Sequence, residues 1–162
     1  MNAKSAYQEQ GCGCELTPLE ILLCREIFTK VLQFGRAPAL EEVPLSLKKP
    51  ARDVACILGE LEKKDLLVKR KGTYEVVSIY PISLTSTEHQ VVLKDGEKLF
   101  AMCAADALGI PSMFDRNAAI ASQCEWCKRK VTVEIQCGEI VSTSHLNILI
   151  WSPRQQEAPA AE

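Results

Sequence analysis

Residues 100–111, FAMCAADALGIP, place a thiol and a carboxyl among small and apolar side chains. The apolar spacing predicts a helix over residues 97–109 that ends at Gly109, just before Pro111. On a helix, Cys103 and Asp106 are three positions apart and share one face. Three readings are open for the pair: core packing, metal binding, or a nucleophile with its acid.

The residues before this segment predict a helical domain over 17–79. Residues 17–35 have helical apolar spacing, with Thr17 as N-cap, Pro18 in the first turn and Gly35 as the stop. A short second helix is predicted over 37–44 and a third within 46–72, with Pro50 in its first turn. Two strands then follow around the turn at Lys71-Gly72. Three helices followed by a hairpin indicate a winged-helix-like domain.

The residues from 80 onwards have a different pattern. Strand-like alternation surrounds an Asp95-Gly96 turn, and further short strands are expected near 130–135, 139–142 and 147–151. The fold class is therefore α+β, with the helical domain followed by a small mixed α/β domain of short antiparallel strands over 80–152. Residues 1–16 are predicted to be a flexible arm that contains cysteines, and residues 153–162 a disordered polar tail.

Composition excludes some classes of function. The 162 residues carry a net charge of −2 and 47% hydrophobic residues, as in ordinary soluble proteins. No apolar run is long enough for a membrane span and the start lacks a signal peptide, so a cytoplasmic protein without membrane contact is expected. Residues 48–71 hold eight basic and four acidic residues. DNA is therefore a conceivable partner but not the favoured one.

The cysteines are the unusual feature. The chain has eight of them, and in a reducing compartment such thiols favour soft-metal or thiol chemistry over disulfides. Cys124 and Cys127 form a CxxC pair. Two further ligands could complete a structural zinc site with it, either Cys12 with Cys14 or Cys137 with His145. Cys24 and Cys56 lie among apolar residues and are predicted to pack in the core.

The segment YPISLTSTEHQVVLKDGEKLFAMCAADALGIPSMF, followed by a cysteine in IASQCEWCKRKVTVEI, resembles the alkylmercury (organomercurial) lyase family. The resemblance covers about residues 17–152 and is most specific over 80–142. It makes 80–152 the lyase-like part, with Cys103 and Asp106 as the Cys-x-x-Asp signature and Cys124 as a further matching cysteine. It implies an organomercurial as substrate, mercury as the product metal and no required cofactor. Small thiols or a mercury-accepting protein are the implied further partners.

The chemistry of that family accounts for these residue types. Thiolates are soft ligands that bind mercury strongly, and a nearby carboxylic acid can carry the proton that the leaving carbon needs. The apolar neighbours of Asp106 are expected to raise its pKa. The family has a second active-site cysteine beyond the strand that residues 145–153 resemble, and this sequence has none there. Cys124 or Cys127 is the expected replacement. The alternative is a non-catalytic carrier of mercury or another thiophilic metal, or a winged-helix metalloregulator.

Overall fold

The computed structural model describes residues 15–43 and 47–150. Among these residues, helices α1 (Pro18–Phe34) and α2 (Ala51–Lys63) precede the strands, and helix α3 (Ala104–Phe114) lies between two of them. The strands are β1 (Leu67–Lys69), β2 (Val76–Ile79), β3 (Ile82–Ser83), β4 (His89–Leu93), β5 (Lys98–Ala101), β6 (Ala118–Gln123), β7 (Lys130–Gln136) and β8 (Glu139–Thr143). The α+β class is confirmed.

Within the described ranges the strands form one antiparallel eight-stranded sheet in the order β1-β2-β3-β5-β4-β6-β7-β8. Strand β4 lies between β5 and β6 and is antiparallel to both. Strands β5 and β6 therefore run parallel to each other and end at the same edge of the sheet. This edge is where the chain continues to Cys103 from one strand and to Cys124 from the other.

Helix α1 begins and ends as its sequence predicts. The Thr17 side chain caps the helix by accepting a hydrogen bond from the Glu20 N–H, and the Glu20 carboxylate accepts one from the Thr17 N–H. Pro18 occupies the first turn. Gly35 ends the helix in the left-handed region, at φ 66°, where a side chain would be strained.

An ion pair joins the start of α1 to the end of α2. The Lys64 Nζ lies 2.7 and 2.9 Å from the two carboxylate oxygens of Glu20 and also donates to the Glu15 carbonyl. Burial raises the pKa of Glu20, but hydrogen bonds from Lys64 and Thr17 outweigh it, so the pKa lies below its ordinary value. The charged carboxylate is thus kept in a nearly buried position.

The buried apolar residues form one continuous core that includes residues of both halves of the chain. Phe28 of α1 meets Phe114 of α3 edge-to-face, with ring centroids 6.1 Å apart. Strand β2 pairs with β3 across the predicted boundary, where Ser78 lies opposite Ser83. The division into domains near residue 80, and the winged-helix assignment of the first part, stay predictions.

The predicted helix over 97–109 is wrong at both ends. Residues 98–101 are strand β5, because the hairpin at Asp95-Gly96 returns the chain alongside β4 with Leu99 and Ala101 on the buried face. The helix begins only at Ala104, and Gly109 lies inside it. It continues to Phe114 through Pro111, a fully buried residue whose packing offsets its missing N–H.

Three smaller predictions also need correction. Residues 37–39 have no regular structure, 40–42 form a turn and Val43 is helical, so the short second helix predicted over 37–44 begins too early; 44–46 lie outside the described residues. Pro50 is the N-cap of α2 rather than part of its first turn. Residues 147–150 are not a strand, because 147 is in a bend and 148–150 are irregular. The predicted arm up to residue 14 and the predicted tail both lie outside the described residues.

The strand pairs predicted around Lys71-Gly72 and Asp95-Gly96 are confirmed as β1–β2 and β4–β5, and the strands predicted near 130–135 and 139–142 are confirmed as β7 and β8. Among the helices described here, none is long and apolar enough to cross a membrane. A cytoplasmic location stays a prediction.

Candidate functional site

Cys103 is the N-cap of α3. Its backbone is extended (φ −147°, ψ 176°), and its Sγ accepts a hydrogen bond from the Asp106 N–H with an S–N distance of 3.4 Å. The sulfur thus takes the position that a Ser or Asp oxygen usually occupies at a helix start. Because the cap sits directly after β5, the thiol is held at the edge of the sheet where β5 ends.

The Asp106 carboxylate faces the same thiol. Burial and the hydrogen bond from the thiol to this carboxylate raise the pKa of Cys103, and the negative charge of Asp106 adds to the effect. The Cys103 thiol therefore keeps its proton near neutral pH, with an acceptor already in place. Asp106 is only half-buried and Met102 is 44% exposed, so the surroundings are more open than the apolar sequence suggests.

Cys124 follows β6 and continues its alternation. Ala118 and Ile120 are buried on the face of the sheet that α3 covers, and Ser122 and Cys124 are the next two positions on that face. The chain then closes a tight loop. The Cys124 N–H donates to the Arg129 carbonyl at 2.9 Å, and the Lys128 N–H donates to the Cys124 carbonyl at 2.8 Å.

The groups around the Cys124 sulfur shift its pKa in the opposite direction from the groups around Cys103. It accepts hydrogen bonds from the Cys127 N–H, the Cys127 thiol and the Trp126 N–H, and Lys128 adds a positive charge. Together these lower the pKa of Cys124, in that order of importance. Cys124 is therefore the readier thiolate of the two.

The strand register relates Cys103 to Cys124. Gln90 lies opposite Phe100 on one side and Ala121 on the other, so Ala101, His89 and Ser122 fall in one row across three strands. Each cysteine lies two residues beyond this row. Strands β5 and β6 are two strand spacings apart, about 10 Å. The fold thus places both cysteines at one edge of the sheet, with β4 between them.

His89 was not selected from the sequence, yet it occupies the centre of that row. Its Nδ1 lies 3.0 Å from the Ser122 Oγ, across the β4–β6 pair. The strand alternation places it on the same face as Val91 and Leu93, which α3 covers. The sequence showed only that His89 starts a strand. Its relation to both cysteines depends on long-range strand pairing.

The other cysteines divide as follows. Cys24 is buried, as predicted, but Cys56 is exposed on α2 and its prediction as a core residue is wrong, because it lies on the solvent side of that helix. Cys137 is exposed at the β7–β8 turn. Cys12 and Cys14 lie outside the described residues. Across residues 15–43 and 47–150, no group of three or more His, Cys, Asp and Glu could hold a metal ion.

The model of one protein family, alkylmercury lyase, matches residues 82–162, which is half of the chain. The chain belongs to the alkylmercury lyase family. It is 30% identical over 113 residues to an alkylmercury lyase of Staphylococcus epidermidis, a match that covers 70% of this chain and 50% of that protein. The chain therefore spans about half the length of this curated relative.

The fold is also shared with a solved structure. A crystal structure of the mercury-bound form of MerB2 superposes with a TM-score of 0.70 at 20% identity, covering 88% of this chain and 66% of the other. At that level of identity the likeness establishes a common fold. The matched family region contains Cys103, Asp106, Cys124 and Cys127.

Proposed function

We propose that this alkylmercury lyase family member binds organomercury compounds through cysteine thiolates and cleaves their carbon–mercury bond by protonolysis. Cys103 is the attacking thiol, Asp106 carries the proton, and Cys124, or Cys127 in its place, is the second thiol. The observation that carries the proposal is the cap at the start of α3, where the Asp106 N–H donates to the Cys103 sulfur at 3.4 Å. It places a soft ligand and a carboxylate on the same helix turn.

In the first step the Cys103 sulfur displaces the exchangeable ligand of an organomercury cation. The new bond is sulfur–mercury, and the thiol proton passes to the Asp106 carboxylate. The raised pKa of Cys103 means that the thiol keeps its proton until mercury binds the sulfur and Asp106 accepts the displaced proton. Asp106 is then a carboxylic acid beside the bound organomercurial, with the proton that the reaction needs.

In the second step the Cys124 thiolate binds the same mercury atom. Its lowered pKa makes it the readier of the two thiols to bind as a thiolate, and a second soft ligand increases the electron density on the metal. The carbon–mercury bond breaks, the carbon takes the Asp106 proton, and a hydrocarbon leaves. Mercury(II) stays on two sulfurs, and Asp106 is a carboxylate again. Small thiols or a mercury-accepting protein would then remove the metal.

The test is release of benzene from phenylmercury, or of methane from methylmercury, by the full chain with excess small thiol. We expect turnover by the wild type and none by Cys103→Ser, because a hydroxyl oxygen is a hard, weak ligand for mercury. Cys137→Ser is the matched control, since it removes an exposed thiol away from the site. Wild-type turnover by Cys103→Ser would remove that residue from the mechanism.

The second candidate is a non-catalytic carrier of mercury or another thiophilic metal. The exposure of Cys127 beside Cys124 favours it, because an open dithiol suits exchange with a partner. Stoichiometric binding of phenylmercury with the phenyl group retained would select this function over cleavage. A role as a DNA-binding metalloregulator has less support. Five of the eight basic residues over 48–71 pair with carboxylates: Arg52, Lys63, Lys64, Lys69 and Arg70.

A further inference from the structure

The loop over residues 124–129, which we call the CEWC loop, has a geometry that suits a metal site of its own. Its two backbone hydrogen bonds, from Cys124 to Arg129 and from Lys128 to Cys124, close it into a tight turn. Lys128 takes a left-handed conformation at φ 56°, which completes the turn. The turn holds Cys124 and Cys127 three residues apart on one closed loop, with Cys127 exposed. Both thiols therefore belong to the same turn.

Two charged side chains of the loop pair with each other. Glu125, the carboxylate of the loop, is engaged by the Lys128 Nζ at 2.7 Å. The loop therefore offers two sulfurs to a cation, while its carboxylate has another partner.

The number of ligands determines which cations fit. No third His, Cys, Asp or Glu joins the two sulfurs in the part of the chain that the structure describes. Zinc in structural sites takes four ligands, so two thiolates leave it half-coordinated. Mercury(II) and copper(I) are soft and are satisfied by two thiolates. The CEWC loop thus favours mercury(II) and copper(I) over zinc, both because its sulfurs are soft ligands and because it supplies only two of them.

We propose that Cys124 and Cys127 form a two-coordinate thiolate site for a soft cation that does not need Cys103 as a ligand, and that this site holds inorganic mercury before it leaves the protein. Binding forms two sulfur–metal bonds and releases the thiol protons to solvent, with no change of oxidation state. Cys124 belongs to both sites, so mercury can pass from Cys103 to Cys127 by exchange of one sulfur at a time. The binding does not depend on the proposed lyase activity, whereas the role as an exit site does.

Trp126 provides the measurement, because it is 96% exposed and lies between the two cysteines in sequence. In a Trp151→Phe background it is the sole tryptophan of the chain. We expect one equivalent of Hg²⁺ to quench its fluorescence in the Cys103→Ser variant as in the parent. Cys127→Ser should lower the affinity for Hg²⁺ at this loop by about a hundredfold, since one thiolate remains. Cys137→Ser is the control and should bind as the parent does.

Two results would overturn the site. One is a titration in which Cys103→Ser no longer binds Hg²⁺ while Cys127→Ser binds it as the parent does. The other is stoichiometric zinc in the purified full chain, with four sulfur ligands that include Cys124 and Cys127.

The exit role has its own experiment. When wild type and Cys127→Ser are each loaded with one equivalent of Hg²⁺, we expect mercury transfer to a small dithiol to be slowed about tenfold or more in the variant. Equal transfer rates in variant and wild type would refute the exit role and leave the binding site intact. Failure of all variants, including the parent, to release benzene would refute the proposed lyase function, while the fluorescence titration would still decide the binding site.

Discussion

Cys103 and Cys124 are two thiols at one edge of one sheet, and their surroundings shift their pKa values in opposite directions. Desolvation and the facing carboxylate of Asp106 raise the pKa of Cys103, so its proton is retained. Cys124 faces two backbone N–H groups, a second thiol and a lysine, so its proton is lost more easily. The comparison shows that the residue type gives the soft ligand, while its immediate neighbours decide whether it is a proton donor or a ready thiolate.

The largest effect should come from Asp106→Asn, which removes the carboxylate from the Cys103 side. The amide cannot carry a proton, so we expect organomercurial cleavage to fall by at least about a hundredfold while mercury binding is kept. Benzene release and mercury retention, measured on the same sample, test both parts. Cleavage at the wild-type rate would show that Asp106 does not carry the proton. The carboxylate that distinguishes the surroundings of Cys103 from those of Cys124 would then have no role in the reaction.

The next largest effect concerns the ion pair between α1 and α2, and it is a control for the comparison of Cys103 with Cys124. Lys64→Met leaves the nearly buried Glu20 without its cation, and we expect the free energy of unfolding to fall by about 3 kcal/mol. Because the pKa of Glu20 is lowered in the folded state, the ion pair stabilises the fold above the ordinary pKa of a glutamate. That contribution is lost as the pH falls through the folded pKa, so the variant and the wild type should converge in acid.

Urea unfolding of both proteins, from neutral pH into acid, measures this convergence. Glu20 and Lys64 lie at the α1–α2 junction, so we expect the order of the two thiol pKa values to stay the same in Lys64→Met. A reversed order would mean that the thiol environments depend on the helical part.

The comparison itself is tested by alkylation across a pH series. With iodoacetamide, Cys124 should react at lower pH than Cys103, because the thiolate is the reactive form. Peptide mass spectrometry distinguishes the two sites, and Cys137 is an internal reference in the same digest. The same series on Asp106→Asn should move the reaction of Cys103 to lower pH, since the facing negative charge is gone. If Cys103 reacted first in the wild type, the assignment of roles would have to be exchanged.

The smallest effect should come from Lys128→Gln in the CEWC loop. The lysine charge is a minor cause of the lowered Cys124 pKa, behind the hydrogen bonds of Cys127 and Trp126. We therefore expect alkylation of Cys124 to move only slightly to higher pH, and less at high salt, because screening already weakens an exposed charge. A large shift would indicate that charge, rather than the backbone N–H groups, stabilises the thiolate.

Local signals in the sequence were sufficient for several elements. Thr17, Pro18 and Gly35 determine the bounds of α1, and the Asp95-Gly96 turn determines the β4–β5 hairpin. Cys103 and Asp106 were selected correctly as neighbours, although the reason is a helix cap rather than a shared helix face. The helix prediction failed over 97–102 because apolar residues in a short strand also fit a helical period, and the pairing partners that decide between them are distant in sequence.

The relations across the sheet could not be predicted. That Cys103, His89 and Cys124 lie near one edge follows from β4 being inserted between β5 and β6, which is a matter of topology. The exposure of Cys56 was misjudged because its neighbours Val54 and Leu58 are buried, and a helix turns each residue by about 100°. The pKa directions depend on hydrogen bonds that form only in the folded loop and cap.

The position of Cys103 as a helix cap has an evolutionary consequence. Serine, aspartate and asparagine are among the best N-cap residues, so many replacements at this position would keep α3 intact. Natural selection for stability therefore does not preserve a cysteine here, and a lineage released from exposure to soft metals could drift to serine without a loss of folded protein. A cysteine retained at this cap in diverged relatives would mark continued selection for chemistry rather than for architecture.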